Sequence, residues 1–339
     1  RKVVYFSING LLIRIKTSKV FKLTKIFVAG ATGYIGANVV KSALEQNFDV
    51  VAATRKDDNN FISRDKNLSV IKISDSDNSW MSKLQDIDVF ISCLASRSGE
   101  PKDAHHVDYK LNKLLLEKAM AINCPQFILL SAICVQKPKL AFQFEKLAFE
   151  ETLRNSGLNF SIIRPTAYFK SLSGQIENIK RGKPYVYFGD GKLTQCNPIS
   201  EKDLSLYILS CIKDENKWRK ILPIGGPNQS LTPKKIGEML FEIFEITPRY
   251  RSFPTRILDT IGLFFYVASP FSNWAKKKAE LIKIAKYYAT ESMLVWDEGK
   301  LCYDALKTPS TGNDTLEQYF HAIKKQKMRL NIDRDSKLY

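Results

Sequence analysis

The chain has 339 residues, 44% apolar and 11% aromatic, with 52 Lys and Arg against 35 Asp and Glu for a formal net charge of +17. This composition excludes a disordered or collagen-like chain, and the length suffices for a full core without disulfide or zinc staples. The six Cys (93, 124, 134, 196, 211 and 302) form no CxxC pair and the three His complete no zinc-ligand spacing, so reduced thiols and no metal site are expected.

In chain order, residues 1–25 carry seven basic side chains (Arg1, Lys2, Arg14, Lys16, Lys19, Lys22, Lys25) and no acid. Such a stretch reads as the remnant of an organelle-import segment or as a solvated basic arm. Lys25–Ala29 is a β-rich apolar run that feeds into Gly30-Ala31-Thr32-Gly33-Tyr34-Ile35-Gly36. An amphipathic helix over 37–46 and a second strand over 50–53 follow. Strand, glycine loop, helix and strand within one short unit are the nucleotide-binding half of a doubly wound sheet. The glycines allow a tight turn, close approach of backbone to pyrophosphate, and close packing of helix on strand. The helix N-terminus offers free N–H groups and a positive dipole end. Gly30, Thr32, Gly33, Tyr34 and Ile35 are therefore the expected phosphate-side contacts.

A site that prefers NADH places an acid at the end of the second strand, on the ribose 2′-hydroxyl. Here the strand ends Thr54-Arg55-Lys56, and the acids Asp57 and Asp58 come afterwards. Two cations at that point suit a 2′-phosphate, so Arg55 and Lys56 select NADPH. A third strand over 70–73 ends at Ser74-Asp75, an adenine contact. A fourth over 89–93 is followed by Leu94-Ala95-Ser96. A helix over 111–121, a fifth strand over 127–130 ending at Ser131, a helix over 142–155 and a sixth strand over 160–163 running into Arg164-Pro165 continue the alternation. Ligands in such sheets lie beyond the carboxyl ends of the strands, which gathers 94–97 (with Leu94, Ala95 and Ser96), 131–137 (from Ser131) and 165–170 (from Pro165) around one crevice.

After the sixth strand the alternation breaks into long aromatic-rich segments. Gly189-Asp190-Gly191 reads as a tight turn, and 198–200 as a strand leading to a helix capped near Asp203. The apolar stretch 257–271 precedes Lys276, Lys277, Lys278, Lys283 and Lys286, a pairing that suits an anionic membrane surface. No apolar run reaches the length of a spanning helix. No helix-turn-helix, RNP-like or zinc-finger pattern accompanies the charge, so nucleic acid is not an expected partner. The expected fold is α/β: a Rossmann-type doubly wound parallel sheet with a smaller, mostly helical C-terminal substrate-binding part. Residues 1–22 form a basic extension, 23–168 the NADPH-binding core, 169–322 the substrate-binding part interleaved with the last core elements, and 323–339 a basic tail.

GATGYIG at 30–36, the Arg164-Pro165 step and Lys146 on a helix resemble the extended and atypical, NmrA-like short-chain dehydrogenase/reductases. Longer segments narrow the resemblance to the divinyl chlorophyllide 8-vinyl-reductase family of chlorophyll synthesis: CLASRSG (93–99), LLSAICVQKP (129–138), FQFEKLAFE (142–150), IRPTAYFKSLSGQ (163–175), GKPYVYFGDGKL (182–193), PISEKDL (198–204), LPIGGP (222–227) and YYATESMLV (287–295). The resemblance covers about residues 23–322 in consistent order, and the basic ends lie outside it. It implies an NADPH-dependent oxidoreductase acting on a C=C bond, which converts the 8-vinyl group of divinyl (proto)chlorophyllide to ethyl. It also implies a Mg-tetrapyrrole substrate and a plastid setting, in the stroma or at a thylakoid or envelope membrane surface, for a nuclear-encoded chain whose import segment has been removed.

The usual Tyr-x-x-x-Lys of short-chain reductases reads Phe142-Gln143-Phe144-Glu145-Lys146 here, so the phenol is missing, as in the resembled family. Carbonyl reduction makes an alkoxide that needs an acid, worth about 10²–10⁴-fold in rate. Adding hydride to a conjugated vinyl group instead spreads charge into the macrocycle, so the missing Tyr argues against a ketoreductase. Its other meaning is a dead site. Lys146 keeps a role in binding nicotinamide ribose hydroxyls and supplying positive charge, and Ser131 holds the position of the family's catalytic serine. Lys146, Tyr109, Tyr168 and water stand as proton donors. His105 and His106 are either axial ligands of the substrate's Mg or solvated loop histidines. A reading of another class is a catalytically quiet NADPH-binding subunit of a larger organellar membrane complex, docked through the basic ends; a reductase for a different conjugated alkene or carbonyl is the third.

Overall fold

The apolar runs of the sequence become the strands of one sheet because helices cover them on both faces. The computed structural model describes residues 3–8, 11–16, 23–54, 65–73, 79–227 and 229–325. Arg55, Lys56 and Asp75, with part of each basic end, lie outside the described residues. The chain opens with an antiparallel hairpin of β1 (Val3–Ile8) and β2 (Leu11–Lys16), Val3 opposite Lys16.

The main sheet is built from β3 (Lys25–Ala29), β4 (Asp49–Thr54), β5 (Leu68–Lys72), β6 (Val89–Ser92), β7 (Gln126–Leu130), β8 (Asn159–Pro165) and, beyond β9 (Tyr185–Phe188), β10 (Lys220–Ile224). All seven strands are parallel, in the order β10-β8-β7-β6-β3-β4-β5. The order reverses between β3 and β6, and that switch point is where such a sheet opens its crevice.

Successive strand residues alternate between two cores. Ile26, Val28, Val50, Ile91 and Ile128 pack with α1 (Tyr34–Glu45) and α6 (Glu201–Ser210). Phe27, Val51, Phe90, Phe127 and Leu129 pack on the opposite face with α3 (Asn112–Ala121) and α4 (Ala141–Arg154). Burial on both faces explains why β3, β6 and β7 read as unbroken apolar runs. Between β6 and α3 stand the short α2 (Pro101–Ala104) and a π-helical turn, His105–Leu111.

The remaining elements form a smaller body. Around Ile176, Ile179, Tyr185, Leu240, Phe241 and Phe320 gather α5 (Ile176–Lys180), β9, α7 (Pro233–Phe244) and α10 (Leu316–Lys324). β9 pairs in parallel with β11 (Tyr250–Phe253), and β12 (Val295–Asp297) with β13 (Cys302–Asp304) in antiparallel. A helical hairpin, α8 (Arg256–Ala268) and α9 (Asn273–Thr290), projects from this part, and α8 buries only Leu258. Among the described residues no helix is long and apolar enough to cross a membrane.

Two details depart from the sequence reading. The expected strand at 198–200 is a single bridge between Ile199 and Tyr168, although the helix after it is capped as expected, Ser200 Oγ accepting from the Asp203 N–H at 3.0 Å. A seventh strand, β10, which the sequence reading did not include, joins the sheet edge; at an edge the missing N–H of Pro223 is tolerated.

Candidate active site

Gly30 ends β3 with φ +74, a conformation that favours glycine, and a Cβ there would lie 2.7 Å from Cys93 O at the end of β6. Gly36 lies inside the first turn of α1, where a Cβ would fall 2.1 Å from Gly30 O. Both glycines therefore exist for close packing of loop, helix and strand. Gly33 differs: it is exposed at the N-cap of α1, and an added Cβ would meet only Gly30 O, at 3.1 Å. The loop turns tightly through Gly33 N–H to Gly30 O, 2.9 Å, and leads straight into the N-terminus of α1, whose first intrahelical bond runs from the Ala37 N–H to Gly33 O at 2.9 Å. These residues fit a dinucleotide's pyrophosphate.

Across the crevice, Lys146 is buried on α4 and its ammonium lies 2.9 Å from Asp108 Oδ1. Asp108 belongs to the π-helical turn, a form of backbone frequent at functional sites. Its side chain is fully buried; Oδ1 also accepts from the Ser96 N–H at 3.4 Å, and Oδ2 has no hydrogen-bond partner. Asn112 donates to the carbonyls of Val107 and Asp108, and accepts from Ser92 at the end of β6, which ties this turn to the sheet. Asp108 thus links Lys146 to the Leu94–Ser96 segment.

Ser131 is buried at the end of β7 and donates to Glu150 Oε1 at 2.5 Å. Arg164 donates to the same carboxylate from both Nε and Nη2. This buried cluster fastens the ends of β7 and β8 to α4, just before Pro165. The Ser131 proton is committed to Glu150. Tyr34 likewise donates its phenol to Glu201 and meets Tyr168 edge-on at 6.3 Å; burial first, then the Glu201 charge, pushes its pKa up.

A cleft of about 290 Å³ opens beside this floor. Its near wall is Ala132, Ile133, Cys134 and Pro165 to Tyr168; its far wall is Leu172, Tyr185, Val186, Phe188, Leu193, Tyr288 and Met293. The lining is largely apolar. Burial pushes the Cys134 thiol up, the Lys146 charge opposing, and raises that of Cys93 to about 12, again against Lys146. The Lys146 charge is thus felt at both thiols, and Cys134 also lines the cleft. Phe142 is half-buried near Gly99.

The structure brings together Gly30, Thr32, Gly33, Ile35, Leu94, Ala95, Ser96, Lys146 and Pro165 at the carboxyl ends of the central strands. Tyr168 lines the cleft, whereas Tyr109 stacks on His105 and lies outside it. His105 Nδ1 is 3.0 Å from Glu145 Oε2. Among the described residues no group of His, Cys, Asp or Glu is arranged to hold a metal ion. Sequence reasoning missed Asp108, Glu150 and the role of Arg164; the only signal was their charge at positions that a scaffold helix or strand end would fill with apolar residues.

Comparison with known proteins bears on this geometry. The NAD(P)H-binding family model matches residues 30–215. The chain is 43% identical over 323 residues to the chloroplastic divinyl chlorophyllide a 8-vinyl-reductase of Arabidopsis thaliana, covering 89% of this chain and 77% of that protein. It is 44% identical over 321 residues to the enzyme of the same name from Cucumis sativus, covering 89% and 76%. Among solved structures, a UDP-glucuronic acid 4-epimerase variant of Bacillus cereus in complex with NAD is similar with a TM-score of 0.65 at 17% identity, covering 90% of this chain and 100% of that one. That likeness shows the fold.

Proposed function

The chain belongs to the divinyl chlorophyllide a 8-vinyl-reductase family, and from that premise we propose that NADPH is its reductant and that the apolar cleft beside Lys146 receives the vinyl-bearing edge of the macrocycle. The chain is a plastid oxidoreductase of chlorophyll synthesis with a nicotinamide-binding domain, and it reduces the 8-vinyl group of its tetrapyrrole substrate to ethyl. A quiet subunit of a membrane complex is not favoured, because the relatives matched along most of their length carry a reductase's name.

When bound, the nicotinamide cofactor supplies the hydride. Gly30 to Ile35 would hold its pyrophosphate, Leu94 to Ser96 and Pro165 its nicotinamide half, and Asp75 its adenine. Arg55 and Lys56 would hold the 2′-phosphate that distinguishes NADPH. Lys146 would grip the ribose hydroxyls and set positive charge beside the cleft, where electron density builds in the macrocycle. Asp108 positions that ammonium through its ion pair, Oδ1 lying 2.9 Å from Nζ. Ser131 serves here through Glu150 and Arg164, as a fastener of the crevice floor. Of the proton donors that the sequence leaves open, Tyr168 stands in the cleft wall and Tyr109 does not, which leaves Lys146, Tyr168 and water. The cleft's volume is near the lower end of small-molecule sites, about 300–1,000 Å³. It therefore suits one edge of a flat macrocycle, with the rest over the mouth.

The observation that carries this reading is a buried, carboxylate-held Lys146 beside an apolar cleft with Phe142 where a ketoreductase has its phenol. The test is to give the purified chain divinyl chlorophyllide with NADPH or NADH and follow the Soret band. We expect a shift with NADPH and a kcat/KM lower by about tenfold or more with NADH, the difference shrinking in Arg55→Ser/Lys56→Ser. Equal use of both cofactors would refute the NADPH assignment; no shift with either would refute the reductase reading.

A further inference from the structure

The outward side of the α8–α9 hairpin exposes large apolar residues together: Phe271 is 89% exposed, Phe264 69%, Leu263 63%, Val267 63% and Trp274 62%. The inward side is spoken for: α8 packs along α9 so closely that a Cβ added at Gly262 would lie 3.4 Å from the Ile282 side chain. An isolated exposed Leu or Phe is ordinary, but a contiguous group of this kind marks an interaction surface. The charges around it have one sign left over. The acids are matched, Asp259 by Lys286, Glu280 by Lys283 and Glu100 by Lys277. Lys276 and Lys278, one turn beyond the apolar tip, have no ion pair among the described residues. Lys278 lies 5.9 Å from the Trp274 ring centroid.

We infer that this hairpin lies in the interface of an anionic lipid bilayer, with Leu263, Phe264, Val267 and Phe271 among the acyl chains and Lys276 and Lys278 at the headgroups. Lipid is the occupant that these features fit: aromatic and aliphatic side chains in no complementary pocket, a Trp at the boundary, and unpaired cations one turn away. The placement has a use that rests on the cleft reading above. α9 supplies Ala285, Tyr288 and Ala289 to the cleft wall, so one helix runs from the lipid-facing tip to the site. An apolar tetrapyrrole dissolved in the membrane would reach the cleft along it.

Flotation of the full chain with phosphatidylglycerol–phosphatidylcholine vesicles tests the inference, with phosphatidylcholine vesicles alone for comparison. The chain should float with the anionic vesicles and much less with the neutral ones. Phe264→Glu/Phe271→Glu should abolish flotation, and Lys276→Gln/Lys278→Gln should weaken it by roughly fivefold for each cation removed, less at high salt. Trp emission should shift to the blue on vesicle addition, and the shift should vanish in Trp274→Phe. These side chains are exposed, so the variants keep their activity on detergent-dispersed substrate, which separates a failure of docking from a failure of the reductase reading. No flotation with anionic vesicles would overturn the inference. So would flotation unchanged by Phe264→Glu/Phe271→Glu, or a dimer in solution that this pair dissolves while flotation persists.

Discussion

Lys146 and Glu150 occupy the same buried stripe of α4 as Phe149 and Leu153, a place where a scaffold helix carries only apolar groups. Each is balanced by one opposite charge from another element, Asp108 for Lys146 and Arg164 for Glu150. A buried pair contributes little net stability when intact, but breaking it leaves a desolvated charge. Lys146→Met should therefore do two things: lower kcat by about 10²–10³ and destabilise the fold by roughly 3–5 kcal/mol. The double variant Lys146→Met/Asp108→Leu should regain much of the stability in urea unfolding while its turnover stays low. Stability and activity falling and recovering together would instead give Lys146 a purely structural role. Lys146 was legible in the sequence through its motif. Asp108 was not: the π-helical turn inserts a residue into the 3.6-residue repeat, so a fixed period points its carboxyl to the wrong face.

At the scale of elements, the loop from β3 into α1 was almost wholly legible, because glycines at 30, 33 and 36 have no other reason to stand at that spacing. The structure separates their duties. Gly36→Ala would drive a Cβ into Gly30 O and force the loop or the helix to move, costing about 1–3 kcal/mol as well as cofactor affinity. Gly33→Ala meets one atom at 3.1 Å and should fold with a thermal midpoint close to the parent's, yet bind the nicotinamide cofactor more weakly, its methyl crowding the proposed pyrophosphate seat. Fluorescence titration with NADPH beside thermal unfolding checks both. If both variants bind alike, the division of duties fails. The helical hairpin was legible only as composition, an apolar stretch followed by lysines. That α8 turns its apolar residues away from the protein depends on tertiary packing, which no local pattern encodes. For the same reason β10, with Pro223, could not be read as a strand without its neighbour β8.

Across the whole molecule, the surplus of positive charge is not spread evenly, and one buried acid shows how it is held. Glu291, just after α9, accepts from Lys139 and from Tyr303 at 2.5 Å, and lies 3.4 Å from Lys137, whose ammonium also stacks 3.8 Å over Trp296. The loop after β7 is thereby clamped to β12 and β13 across the cleft. Burial opposes the charge on Glu291, but Lys139, Tyr303 and Lys137 outweigh it and hold the carboxyl below its ordinary 4.5. A folded pKa below the unfolded one makes the charge stabilising in full above about pH 4.5, a gain lost as pH falls through the folded value. Glu291→Gln should thus lower stability by about 1 kcal/mol at neutral pH, a modest loss because Lys139 is largely solvated. The gap in melting temperature between variant and parent should close in acid. A gap that widens in acid would reverse the sign assigned to this clamp.

The sheet's strand order also carries a timetable. Six of its seven strands, the glycine loop, Lys146 and the Ser131–Glu150–Arg164 fastening are all encoded by residue 165, whereas β10 and the α9 wall of the cleft come later in the chain. Parts of a chain that are complete early in synthesis are free to fold before the rest emerges. A chain arriving N-terminus first would therefore present the strands and glycine loop of its nucleotide seat before α6 covers one face of the sheet and before the far wall of the cleft follows. Premature release at that stage would yield a fragment whose sheet lacks α6 on one face and leaves Ile26, Val28 and Val50 incompletely covered there, a surface prone to aggregation.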